Sequence, residues 1–238
     1  MDKIAIIVAA GSGTRMGSRV PKQFLHLKGK PIILHTIEAF IKAIPAIQIR
    51  LVLPAAQITD GQSLLAEKPY IHQITFIAGA DSRFKSVRNG LHGISPDSLV
   101  AIHDGVRCLI SPELIHRCFD SAAAFGSAIP VIPATDSLRE VFYESQDDMN
   151  PDKTEASKAI DRTKIRLVQT PQTFKTSLIL AAFSQQDQPA FTDEASVLEA
   201  TGQRVHLVEG DPENIKMTRP VDLILAAAIL DQRDARSV

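Results

Sequence analysis

The sequence predicts an α/β fold built on a mostly parallel sheet, and three observations predict it. Apolar runs of strand length alternate with amphipathic helical stretches through the first half of the chain. The first run, Ile4 to Ala9, breaks directly into a Gly-rich turn, Gly11-Ser-Gly13-Thr-Arg15-Met-Gly17. Charged and hydroxyl residues then gather just beyond the strand-like runs, the end at which open parallel sheets bind ligands.

Strands are predicted at Ile4–Ala9, Ile49–Leu53, Ile74–Ala78, Leu99–His103 and Ala128–Ile132. Between them the periodicity predicts helices at Ile32–Ala43, Gln57–Lys68, Arg83–His92 and Pro112–Ala124. In the last of these Leu114, Ile115, Cys118 and Phe119 share one face, and Pro112 suits a first turn behind a Ser111 cap. Residues 138–166 break the pattern: Ser137–Tyr143 and Ala159–Arg162 flank a polar, turn-rich tip, which reads as a hairpin arm or a surface insertion. The parallel pattern is then expected to resume at Ile165–Gln169. Helices are expected near Lys175–Gln185 and Glu194–Ala200, a strand at Val205–Val208 and a closing helix from Pro220. The simplest organisation is a single domain over 1–238 with one excursion.

The first loop is built for an anion. Glycines let backbone N–H groups approach a phosphate, and Arg15 and Lys22 (in Pro21-Lys22-Gln23) supply neutralising charge. A dinucleotide fingerprint is excluded, because three residues separate Gly13 from Gly17 and the run Leu51-Val52-Leu53 ends in Pro54 instead of an acid. A Walker loop is excluded as well, since Ser18-Arg19 follows Gly17. A nucleotide triphosphate fits best.

Composition removes several classes. A net charge of −1 gives no basic field for nucleic acid, and the absence of Trp with only two Tyr leaves no stacking platform for single strands. Cys108 and Cys118 are too few for a disulfide framework and lack zinc-ligand spacing. The longest uncharged stretch, Ser121 to Thr135, is interrupted by Gly126, Pro130 and Pro133, so no membrane span is expected. Residues 1–10 show no signal-peptide pattern, and a cytoplasmic location is expected. No nucleophile elbow or Ser-His-Asp set appears.

The later strand ends carry Gly79-Ala-Asp81 with Ser86, His103-Asp104 with Arg107, Asp136-Ser137, Asp161-Arg162, Gln169-Thr170-Pro171-Gln172, Thr192-Asp193-Glu194 and Asn214-Ile-Lys216. Asp104, beside a triphosphate loop, suits Mg²⁺ or a substrate hydroxyl. His103 reads as a packed strand residue. Thr192 suits the cap of the following helix, and Asp193 and Glu194 its acidic first turn. Gly, Arg, Lys and hydroxyl groups are the equipment of phosphoryl or nucleotidyl transfer.

Taken in order, these motifs resemble the 2-C-methyl-D-erythritol 4-phosphate cytidylyltransferases of the non-mevalonate isoprenoid pathway, from Ile4 to about Leu230. The resemblance implies a Rossmann-like three-layer sandwich of the nucleotide-diphospho-sugar transferase type, with a protruding β-arm. It implies CTP as co-substrate, Mg²⁺ held mainly by the CTP phosphates, and a homodimer in which residues 138–166 reach the partner's site. It assigns Arg15, Lys22, Arg162 and Lys216 to catalysis. Ala10, Gly11, Gly13, Gly79, Asp81 and Ser86 are assigned to the nucleotide, and Asp104, Arg107, Ser137 and Thr192 to the polyol phosphate. The pattern departs at Gly105-Val106, where Ala-Ala is common, at Cys108 for Pro, and at Ser137 for Thr without the usual Arg before Asp136. These changes lie on the acceptor side, so ribitol 5-phosphate is the rival acceptor.

Overall fold

The computed structural model describes residues 1–11, 20–143 and 154–236. Strand β1 (Lys3–Val8) is central because both of its faces are apolar, and it pairs in parallel with β4 (Gln48–Leu53) and β6 (Leu99–Asp104). Strand β5 (Ile74–Ala78) extends the parallel set beyond β4. Register places Val8 opposite both Val52 and Asp104, so these strands open their carboxyl ends along one edge.

Strand alternation divides the core. Ala5 and Ile7 pack with Ile37, Phe40 and Phe119, which come from α1 (Ile32–Ala43) and α4 (Pro112–Phe125). Ile6 points the other way, into a cluster with Phe174 of the sheet and with Val87, Leu91, Ile179 and Val197 from the opposite layer. That layer contains α3 (Arg83–Leu91), α5 (Thr176–Ala182) and α6 (Glu194–Glu199). Three layers follow directly from the period of two along β1. Helix α3 lies so close to β1 that a Cβ on Gly90 would meet Ile6 Cγ2 at 2.7 Å. Helix α4 begins as expected: Ser111 Oγ accepts the Leu114 N–H at 3.3 Å, Pro112 occupies the first turn, and Gly126 ends the helix at φ 92°.

The remaining elements complete the frame. Strands β2 (His26–Leu27) and β3 (Lys30–Pro31) form a small hairpin, and α2 (Ile58–Leu65) precedes β5. Helix α7 (Pro220–Arg236) closes the chain and is tied to the small hairpin by Lys28 pairing with Asp231.

The second half of the sheet differs from the sequence expectation. Strand β10 (Arg166–Val168) lies where a strand was expected, but it runs antiparallel to β7 (Ser127–Pro133). Strand β11 (Gln172–Lys175), expected to be a polar loop leading into a helix, pairs antiparallel with both β6 and β7. Its four residues contain one apolar side chain, yet Gln172, Thr173 and Phe174 are all buried. β10 and β11 therefore run in the same direction on either side of β7, joined across it by residues 169–171 without a crossover helix. Among the described residues only β12 (Leu207–Glu209) joins β7 in parallel. The sheet is therefore mixed, parallel through β5, β4, β1 and β6.

Strands β8 (Leu138–Tyr143) and β9 (Thr154–Ile160) pair with each other in a separate two-stranded sheet. Residues 144–153, the tip of the expected arm, lie outside the described residues.

Candidate active site

The site forms where β1, β5 and β6 end. Gly79, just after β5, has no room for a side chain: a Cβ there would stand 2.4 Å from Ala10 Cβ. The loops after β1 and β5 touch because of it. Ser86, buried in α3, accepts the Ala80 N–H on its Oγ at 2.9 Å and fixes the turn that carries Asp81. Together these loops border a cavity of about 470 Å³ lined by Ala10, Gly11, Lys22, Asp81, Arg83, Ser86, Asp104 and Lys216 among others. A second cavity of about 300 Å³ is lined by Arg83, Asp104, Arg107, Gln169, Thr170, Thr192 and Lys216 among others. Arg83, Asp104 and Lys216 line both.

Asp104 is the centre of this shared wall. It ends a strand with every residue buried and is itself 5% exposed. Arg83 Nη1 donates to its Oδ1 at 2.8 Å, while Lys216 Nζ and Arg107 Nε approach Oδ2 at 2.9 and 3.3 Å. Burial would raise the carboxyl pKa, but the charges of Arg83, Lys216 and Arg107 outweigh it and hold Asp104 well below the usual carboxylate range. Lys216 is brought there by backbone pairing, since the Met217 N–H donates to Val106 O at 3.0 Å.

A buried hydrogen-bonded frame stands behind the cations. His103 Nε2 lies 3.0 Å from Arg107 O, which can only accept, so Nε2 carries the proton. Nδ1 then accepts from Thr170 Oγ1 at 3.1 Å, and the same hydroxyl oxygen accepts the Asp104 N–H at 3.0 Å. Asn214 Nδ2 donates to Thr170 O, and Arg107 Nη1 donates to Asn214 O, each at 2.8 Å. Burial lowers the His103 pKa to about 4, and its ring packs edge-on against Phe40. His103 is the packed strand residue the sequence suggests.

Several expected residues lie elsewhere. Gly13 and Arg15 lie outside the described residues. Gly79 supports the first cavity from behind. Ser137 and Arg162 are exposed near the base of the β8–β9 hairpin and line neither cavity, Arg162 donating to Thr135 O. Thr192 is not the cap of α6. Asp193 takes that place, its Oδ1 accepting the Ser196 N–H at 2.9 Å while Ser196 Oγ accepts the Asp193 N–H, and Thr192 remains on the second cavity.

The donor set at Asp104 does not suit a resident metal ion, because both of its oxygens already receive cationic side chains. Among the described residues no group of three His, Cys, Asp or Glu side chains is placed to hold one.

Sequence reasoning did not pick out Arg83 as a site residue, and it read Glu194 only as a first-turn acid. Glu194 is 1% exposed and pairs with Arg83 Nη2 at 3.0 Å. Burial raises its pKa against the pull of Arg83. The available signal was an acid on the apolar side of α6, beside Ala195, Val197 and Leu198.

The family model for IspD, 2-C-methyl-D-erythritol 4-phosphate cytidylyltransferase, matches residues 3–232. This chain belongs to that family. A cytidylyltransferase of this name from Bacteroides thetaiotaomicron is 43% identical over 231 residues, covering 97% of this chain and 100% of the relative. The enzyme of the same name from Bacteroides fragilis is 43% identical over 230 residues, again covering 97% and 100%. The crystal structure of 2-C-methyl-D-erythritol 4-phosphate cytidylyltransferase from Thermus thermophilus is 30% identical, with a TM-score of 0.72 over 96% of this chain and 98% of that one. The cytidylyltransferase family thus extends over both cavities and the hairpin.

The cluster makes a pH-dependent prediction. Asp104 has a depressed folded pKa, so its stabilisation is complete above the unfolded value of about 3.9 and is lost as pH falls towards the folded value. Replacing one member of a buried ion cluster costs about 3–5 kcal/mol. In urea denaturation Asp104→Asn is expected to be less stable by roughly that amount near neutral pH. The gap should stay level from pH 8 to pH 5 and narrow below about pH 4. A gap that widens in acid contradicts the assignment.

Proposed function

We propose that this chain transfers the cytidylyl group of CTP to 2-C-methyl-D-erythritol 4-phosphate, giving 4-diphosphocytidyl-2-C-methyl-D-erythritol and pyrophosphate. One observation carries the reading: two cavities meet at a wall bearing Arg83, Asp104 and Lys216, as a reaction between two phosphate esters requires. CTP occupies the larger cavity, with Ala10, Gly11, Gly79, Asp81 and Ser86 around cytosine and ribose. Lys22 and Arg15 neutralise the triphosphate, and Gly13 offers it a backbone N–H. The polyol phosphate occupies the smaller cavity, where Asp104, Arg107 and Thr192 meet its hydroxyl end. The relatives named above bear the methylerythritol name across the full length of the match, which disfavours ribitol 5-phosphate as the acceptor.

The chemistry needs no general base, because the nucleophile is an ionised phosphate oxygen. That oxygen forms a bond to the α-phosphorus as the bond from α-phosphorus to the bridging oxygen breaks, and pyrophosphate leaves with the electron pair. The barrier contains repulsion between two anions, and fixed cations at the meeting point lower it. Lys216 orients the attacking phosphate, and Lys22 and Arg15 stabilise charge on the α-phosphate. His103, neutral and enclosed, takes no proton. Magnesium enters as the counter-ion of CTP, part of the substrate.

The arm completes the reading. A two-stranded hairpin alone is marginal in water, and Val141 and Phe142 on β8 are 43% and 44% exposed. We place them against a second copy of this chain, with Ser137 and Arg162 serving the neighbouring site. Sedimentation equilibrium at micromolar concentration should give the mass of two chains; the mass of one contradicts the dimer. No helix among the described residues is long and apolar enough to cross a membrane. Both cysteines are free and buried, which suits a reducing cytoplasm.

Pyrophosphate release measured with CTP and each polyol phosphate tests the reaction. Turnover is expected with methylerythritol 4-phosphate, and turnover with ribitol 5-phosphate alone refutes the reading. Lys22→Ala should lower kcat about 100-fold or more, as expected for loss of a transition-state contact. Near-normal kcat in that variant removes Lys22 from the mechanism.

A further inference from the structure

Arg83 has two partners on different elements. Its Nη1 donates to Asp104 Oδ1 at 2.8 Å and its Nη2 to Glu194 Oε2 at 3.0 Å. Glu194 opens α6 and is 1% exposed, so its ionised form needs a cation in contact, and Arg83 supplies it. Anchored there, the guanidinium has one edge left for Asp104. With Oδ1 taken by Arg83, Asp104 turns Oδ2 to Lys216 Nζ at 2.9 Å. The order Glu194, Arg83, Asp104, Lys216 alternates in charge from α6 through α3 and β6 to the segment before α7. It ends on an ammonium group that is 38% exposed, on the wall shared by both cavities.

We propose that Arg83 is a positioning residue that, anchored on Glu194, sets the Asp104 carboxylate and through it the place of Lys216 between the two substrates. The proposal rests on the functional reading above and gives Arg83, there only a part of the shared wall, a role of its own. A lysine cannot replace Arg83. Its donors radiate from one nitrogen, whereas the planar guanidinium gives each carboxylate its own Nη atom, Nη1 to Asp104 and Nη2 to Glu194. Glu194 acts on Lys216 through two intervening residues, so its charge should matter to the acceptor although it lines neither cavity.

Steady-state kinetics of Arg83→Lys, Glu194→Gln and the double variant test this, with thermal melting of each. Each single variant should raise KM for the polyol phosphate about tenfold, with KM for CTP within about threefold of the parent. The double variant should be no worse than the poorer single one, because both act through one chain of contacts. Glu194→Gln keeps the shape of the side chain and remains informative should Arg83→Lys fail to fold. An unchanged acceptor KM with a lowered melting temperature reduces Arg83 to a structural residue and overturns the proposal. Proportional rises in both KM values, or penalties that multiply in the double variant, overturn it too. Parent enzyme that consumes no polyol phosphate refutes the functional reading instead; an active parent with unaffected variants refutes only the role of Arg83.

Discussion

Keeping Asp104 ionised at the end of a fully buried strand is the constraint on which the rest of the site depends. A carboxylate removed from water is costly unless cations and hydrogen bonds replace its hydration. Here Arg83, Arg107 and Lys216 replace it, each delivered by a different segment. Arg107 follows Asp104 on the same turn, Arg83 opens the helix after β5, and Lys216 arrives from the approach to α7. The cluster therefore joins parts of the fold that are far apart in sequence. It also leaves fixed positive charge facing two cavities, the electrostatic arrangement that phosphate chemistry requires.

Packing and polar bonding divide the labour around that cluster. The apolar layers set the height of β6 against β1, with Phe40 lying under His103. The polar frame of His103, Thr170 and Asn214 then sets direction, because each of its hydrogen bonds runs from a defined donor to a defined acceptor. Antiparallel β11 contributes as well. Gln172 Oε1 accepts the Ala195 N–H at 2.7 Å and its Nε2 donates to Asp193 at 2.8 Å, holding the start of α6 and hence Glu194 in place.

Local signals in the sequence disclosed most of the frame. The strands β1, β4, β5 and β6 and the helices between them follow from hydrophobic runs and periodicity, and Ser111 with Pro112 marks the start of α4. The direction of β10 was not legible, since a strand's own residues do not reveal its neighbour's orientation. Strand β11 was hidden because its buried Gln172 and Thr173 give it a polar pattern, Gln172 being held there by its bonds to Asp193 and Ala195. In the site, motif order was enough to nominate Asp104, Arg107 and Lys216. The pairing of Arg83 with Glu194, 111 residues apart, was invisible because it depends on tertiary placement of two helix starts. Thr192 was mistaken for the cap because its neighbour Asp193 serves equally well by composition, and only geometry separates them.

The central claim is that transfer occurs at the wall shared by the two cavities. A crystal structure with CTP bound tests it most directly. The α-phosphate is predicted to lie between Lys22 and Lys216, with Asp104 still held by Arg83 and the smaller cavity open to the acceptor. A triphosphate lying away from that wall, with Lys216 directed elsewhere, would contradict the account.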